Sequence, residues 1–68
     1  MDDIKAGTMV SVWDRGVEFY RGRVQEVTPR NAYKVLISWS RSSGIHPGDL
    51  AQLYPRDFRI ERMKDAAA

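Results

Sequence analysis

The sequence predicts an all-β protein. Apolar residues recur at every second position rather than every third or fourth. Gly, Pro, Asn and Asp break the chain at short intervals, and no segment of helical length carries an apolar stripe.

Taken in order, Met1–Ala6 is polar and is expected to be a disordered N-terminal segment. Met9–Trp13 alternates, with Val10 and Val12 on one face, and Asp14-Arg15-Gly16 is a turn signal. Phe19–Val27 reads as a long second strand. Tyr20, Gly22, Val24 and Glu26 lie on one face, and Phe19, Arg21, Arg23, Gln25 and Val27 on the other. Gly22 within it marks a bend, a bulge or the close approach of another backbone. Thr28-Pro29-Arg30-Asn31 is the next turn. Tyr33, Val35, Ile37 and Trp39 then alternate with Lys34, Leu36 and Ser38 in the cleanest half-buried strand of the chain. Arg41–Asp49 is a loop rich in Ser, Gly and Pro. Leu50–Tyr54 is a short strand that Pro55 ends. Pro55-Arg56-Asp57-Phe58 fits one turn of 3₁₀ helix, and Arg59-Ile60-Glu61 a last short strand. Together these predict a small five-stranded SH3-like barrel with a one-turn 3₁₀ helix before the last strand. One domain is expected over residues 7–62, and residues 63–68 are expected to form a disordered or appended tail.

The chain has 68 residues, so one such domain is all it can hold, and a core this small buries only about 60% of the unfolded surface. It has no Cys, which excludes disulfides and Cys-based zinc sites, and a single His, His46, which excludes a multi-His metal site within one chain. No metal site is expected. Idealised packing or oligomerisation remain as routes to stability. No apolar run reaches the roughly 20 residues of a membrane span, and the opening MDDIKAGT lacks a signal peptide's apolar core, so a soluble cytoplasmic protein without a membrane partner is expected. Net charge is +2, but from Lys5 to Arg62 ten basic residues face six acidic ones, a net of +4. Eight of the eleven basic residues are Arg, suited to phosphates, carboxylates and flat rings.

No catalytic constellation stands out. Asp14, Glu18, Asp49 and Asp57 flank turns and read as solvated loop charges, since nothing specifies an acid/base pair among them. His46 is either a structural or exposed loop residue or an interface residue whose protonation would make assembly pH-dependent. Trp13, Tyr20, Tyr33, Trp39, Tyr54 and Phe58 supply core or interface aromatics, or else a cage for a methylated cation. Val12-Trp13-Asp14 followed by Phe19-Tyr20-Arg21-Gly22 resembles the opening of a Tudor domain. Arg21 and Arg23 on one strand face form either a solvated surface or a track for a phosphate backbone. Gln52 sits among apolar neighbours in Leu50-Ala51-Gln52-Leu53-Tyr54-Pro55, on the face shared by Leu50 and Tyr54. It is either an edge-strand amide in water or an amide placed to read a flat polar ligand.

The stretch His46-Pro47-Gly48-Asp49-Leu50-Ala51-Gln52-Leu53-Tyr54-Pro55 resembles the signature of the plasmid-borne type II, trimethoprim-insensitive dihydrofolate reductases: a His-Pro-Gly turn followed by Val-Gln-Ile-Tyr-Pro. Ser43 falls where the family has a Ser three residues before that His. Gly7-Thr8-Met9-Val10, Gly16, Tyr20-Arg21-Gly22-Arg23-Val24 and Ala32-Tyr33-Lys34-Val35 are similar to the family's upstream segments, so the likeness runs over residues 7–61. Three places differ. The family's pore Lys falls on Val12 or Trp13, one extra residue separates His46 from Gln52 while Ala51 replaces a Val, and Tyr20 replaces a Trp.

The resemblance implies an SH3-like barrel that assembles as a 222-symmetric homotetramer around one central pore. There NADPH reduces dihydrofolate to tetrahydrofolate, as a main or a side activity. Gln52, Leu53 and Tyr54 would be the catalytic positions. The same three, with Ala51 and with Arg15 as a substitute pore cation, would bind NADPH and substrate. His46, Ser43 and Tyr20 would lie at subunit interfaces. No side chain would donate the proton; catalysis would rest on proximity and orientation. The competing reading is a Tudor-like or SH3-like interaction module that binds peptide or nucleic acid through Trp13, Tyr20 and the Arg21/Arg23 face without enzymatic activity, and a third is an accessory protein with no enzymatic role.

Overall fold

The computed structural model describes residues 4–63; the expected disorder of residues 1–3 and 64–68 lies outside the described residues. Five strands, β1 (Met9–Asp14), β2 (Val17–Val27), β3 (Tyr33–Ser40), β4 (Leu50–Leu53) and β5 (Arg59–Arg62), form a single antiparallel sheet in the order β4-β3-β2-β1-β5. Among the described residues no helix is long and apolar enough to cross a membrane.

Local chemistry sets each turn. Asp14 pairs with Val17, leaving Arg15-Gly16 as a two-residue hairpin loop with φ of 54° and 78°. Positive φ at both positions matches the twist of the flanking strands. Between β2 and β3, the Thr28 amide donates to the Ala32 carbonyl at 2.8 Å, and the Thr28 hydroxyl accepts from the Ala32 amide at 3.1 Å. His46-Pro47-Gly48-Asp49 is a second tight turn. The Asp49 amide donates to the His46 carbonyl at 3.0 Å, Gly48 has φ of 96°, and the Asp49 carboxylate accepts the His46 amide at 2.9 Å. Pro before a positive-φ Gly is the requirement of a type II turn.

Alternation then builds the core. Val10, Val12, Tyr20, Val24, Val35, Ile37, Ala51 and Leu53 form one buried cluster, with Ile4, Phe19, Tyr33, Ile45, Phe58 and Ile60 packed against it. A flat sheet has no second layer to cover such a cluster, so the sheet coils over its own inner face, and bulges supply the bend. Phe19, Gln25 and Ser38 are the extra residues where the register shifts. Gly22 lies beside the last of these. A Cβ there would collide with the Leu36 carbonyl oxygen and lie 2.7 Å from Val35 Cγ1.

Two expectations need adjusting. The sheet does not close into a barrel: among the described residues β4 pairs only with β3, and β5 only with β1. Both edge strands are four residues long, and residues 54–58 carry the chain from one edge to the other rather than turning β5 back onto β4. Where a turn of 3₁₀ helix was expected, residues 55–57 form a hydrogen-bonded turn. The Tyr54 carbonyl accepts from the Asp57 amide at 3.0 Å and the Phe58 amide at 3.2 Å.

Candidate functional site

The edge strand β4 divides its four residues cleanly. Ala51 and Leu53 are buried in the core, whereas Leu50, 59% exposed, and Gln52 face outward. The period of two makes this division, and Pro55 stops the strand just after Tyr54. The Gln52 amide nitrogen donates to the Tyr54 hydroxyl at 2.9 Å, so the two polar side chains are held as one unit on the solvent side. Leu50 lies opposite Leu36, itself 42% exposed, and Gln52 lies opposite Lys34. Lys34 reaches Glu26 at 3.6 Å. The result is an apolar pair of leucines, an amide, a phenol and an ammonium on one outer surface. Such a surface can lie against a flat ring and contact its polar edge.

Tyr54 also lines an open recess of about 440 Å³ with Arg30, Asn31, Pro55 and Arg56, and the Arg56 guanidinium stands 5.2 Å from the Tyr54 ring centroid. Arg15 shares no recess with Gln52. It lines a second recess of about 460 Å³ with Trp13 and the 55–59 segment, joined to the first through Pro55 and Arg56. Because Ala51 and Leu53 point inward, the only groups they offer an outer ligand are backbone ones.

The residues expected at interfaces separate. His46 is exposed in its turn with Nδ1 3.8 Å from the Asp49 carboxylate, and Ser43 is exposed in the preceding loop. Tyr20 instead belongs to this chain's own core. It is 8% exposed and packs 6.1 Å from Phe19 and 6.3 Å from Phe58, centroid to centroid. It sits on the inner face of β2, whose alternation already placed it with Gly22 and Val24.

The six aromatics do not converge on a cage. Tyr20 and Phe58 face the core, whereas the ring of Trp13 is met by Arg59 at 5.2 Å and that of Trp39 by Arg21 at 4.7 Å and Arg41 at 5.9 Å. Of the four carboxylates expected in loops, Asp14 and Glu18 lie within β1 and β2, and Glu18 is engaged by Arg21 through two hydrogen bonds of 2.9 and 2.8 Å. Those bonds, and the nearby charges of Arg21 and Arg41, hold its carboxyl below the ordinary value against a smaller opposing effect of burial. Asp49 is engaged by the His46 turn. Among the described residues no group of three acidic or His side chains is placed to hold a metal ion.

Sequence reading had not singled out Lys34 beside Gln52, nor Trp39 between two arginines. The first required the β3–β4 register and the second the bulge at Ser38, and neither is encoded in any one segment. No family model, curated protein or solved structure matches this chain.

Proposed function

We propose that the chain is a small NADPH-dependent dihydrofolate reductase of the type II kind, working in a pore shared by four copies. The observation that carries this reading is the outward-facing, hydrogen-bonded Gln52–Tyr54 pair on β4, within the segment that resembles the family's signature. The coiled five-stranded sheet is read as an SH3-like barrel left open between β4 and β5, with the turn over 55–57 standing for the expected 3₁₀ turn. The strand order, with β5 laid on β1, supports this.

The donor set suits such ligands. Leu36 and Leu50 give an apolar bed for a flat ring, and the Gln52 amide and Tyr54 hydroxyl can bond to its edge. Lys34 and Arg56 provide cations for anionic tails, in place of the pore Lys that the sequence lacks at Val12 and Trp13. Bound NADPH would supply a hydride to the carbon of the pterin C=N bond, and solvent the proton to its nitrogen. The chain itself would bind, stack and align. Holding two reactants in register is enough for large accelerations without a dedicated acid. Four symmetry-related surfaces would enclose what one open surface cannot, and burial of Leu36 and Leu50 between copies would add the stability a chain of this size lacks. His46 and Ser43 would face neighbouring copies, so protonation of His46 would loosen the assembly.

The test is NADPH oxidation at neutral pH with dihydrofolate and trimethoprim present, alongside the sedimentation mass. A tetramer showing protein-dependent, dihydrofolate-dependent turnover is expected. Gln52→Leu should lose at least 100-fold in turnover while leaving the circular dichroism spectrum unchanged. Full activity in Gln52→Leu, or a monomer without activity, overturns the proposal.

A further inference from the structure

The chain's only two tryptophans share one outer face. Ser11 lies opposite Arg21, and Arg21 opposite Trp39. Directly opposed residues of antiparallel strands project to the same side. The Trp13 indole N–H donates to the Ser11 hydroxyl at 3.0 Å, which ties that ring to the same side. Arg59, opposite Trp13 on β5, brings its guanidinium 5.2 Å from the indole centroid, while Arg21 and Arg41 stand over Trp39. Arg23 follows on the exposed side of β2. The face therefore carries indoles and guanidiniums interleaved across β5, β1, β2 and β3.

Its electrostatics are lopsided. The acids in contact with this group are Glu18, clipped to Arg21, and Glu61, 3.1 Å from Arg59. Among the described residues no carboxylate lies within 4.0 Å of Arg23 or Arg41. The Glu18 clip, and the bond from Arg41 Nε to the Glu18 carbonyl at 3.0 Å, hold two guanidiniums over one indole before any ligand arrives. A guanidinium stacked on an indole still presents its outer plane, on which another flat ring can stack, and its free N–H groups point to the rim.

We propose that this face, built on Trp13 and Trp39 with Arg21, Arg23, Arg41 and Arg59, binds single-stranded nucleic acid. Unpaired bases stack on the indole–guanidinium planes, and phosphates meet the rim N–H groups. A duplex hides its base planes and gains only the charge contacts, whereas an unpaired strand offers a ring and a charge at every nucleotide, as an acidic peptide does not. The inference rests on other side chains than the reductase reading, whose Gln52 and Tyr54 lie on and beside β4, and the two surfaces meet only where Arg23 stands opposite Leu36.

The probe is a fluorescein-labelled oligothymidine of about 16 nucleotides, titrated with the full chain in about 50 mM salt. Both tryptophans lie in the proposed site, so their fluorescence reports contact directly. Saturable anisotropy with tryptophan quenching is expected, and the log–log salt slope should be about −2 to −3 for three or four phosphates engaged. Arg23→Gln and Arg41→Gln, at exposed positions, should each make that slope shallower by about 0.7. Trp39→Leu should weaken binding about tenfold, with Trp13 as the remaining reporter. Gln52→Leu should bind as the unaltered chain does, even where it destroys turnover. Absence of binding, equal affinity for a duplex without quenching, or an unchanged slope in both Arg variants overturns the proposal. If Trp39→Leu fails to fold, the two Arg variants decide alone.

Discussion

Gly22 is the residue whose identity the fold can least relax. The bulge at Ser38 pulls β3 over it, and its missing Cβ makes room for the Leu36 carbonyl and the Val35 side chain. Neither neighbour can withdraw easily, because one is backbone and the other is fully buried. Gly22→Ala should cost about 3 kcal/mol, the upper range for forcing atoms into a packed site. That is a large fraction of what a domain this small has to lose. Urea unfolding gives the number, and an unchanged midpoint would mean that β2 and β3 can separate at no cost. Arg15 is the converse case. It holds φ of 54°, a region where a side chain costs about 1–2 kcal/mol and which Asn tolerates better. Arg15→Asn should raise stability by up to about 1 kcal/mol, seen as a higher urea midpoint with an unchanged slope. No gain would show that the side chain makes compensating contacts in the recess it lines with Trp13 and Arg56.

At the scale of elements, β2 carries two jobs on two faces. Its inner side gives Tyr20 and Val24 to the core, and its outer side gives Arg21, which Glu18 holds against Trp39. The sign of the pH effect follows from the lowered Glu18 value. In the unfolded chain the carboxyl titrates at its ordinary position, and in the fold it stays ionised to lower pH. The stabilisation is therefore complete above the ordinary carboxylate range and is lost as pH falls through the lowered folded value. Comparison of urea midpoints at neutral pH and at about pH 3 should show Glu18→Gln losing less stability on acidification than the unaltered chain. Parallel curves for the two would mean that the pair contributes nothing to folding. The strand β4 shows the same division of faces with fewer residues. Ala51 and Leu53 anchor it, so Leu50 and Gln52 must project outward. The turn before it is closed by Asp49, whose carboxylate accepts the His46 amide and whose own amide donates to the His46 carbonyl. The strand thus enters with Gln52 outward rather than flipped into the core.

At the scale of the whole molecule, one coiled sheet presents two neighbouring stretches of outer surface, which meet where Arg23 stands opposite Leu36. One, over β3 and β4, has Leu36 and Leu50 beside Gln52 and Tyr54 and suits burial against further copies of the chain. The other, over β5 to β3, is the Arg–Trp face. The reductase and nucleic-acid proposals share β3 but draw on different side chains, so each variant separates them: Gln52→Leu should silence turnover alone, and Arg41→Gln should weaken the oligonucleotide alone.

The sequence by itself determined the strands, their turns and most of their inner faces; Trp39, read on one face with Val35 and Ile37, is turned outward beyond the bulge at Ser38, and Phe19, read on the outer face with Arg21, packs against the core. Period-two alternation, Arg15-Gly16 and Pro47-Gly48 are local instructions, read over a few residues, and all five expected strands appear within a residue or two of their expected ends. It also determined that Gln52 shares a face with Leu50, which follows from alternation along one strand, and it offered a close approach as one of three readings of Gly22, between which the structure decides. What only the tertiary structure decided is register and curvature. Bulges at Phe19, Gln25 and Ser38 set which residues stand opposite one another, and so brought Lys34 to Gln52 and Arg21 to Trp39. They also left β4 and β5 as separate edges where a closed barrel had been expected. A bulge is a compromise between two strands, fixed by how their side chains fill one shared core, and no single segment encodes that fit.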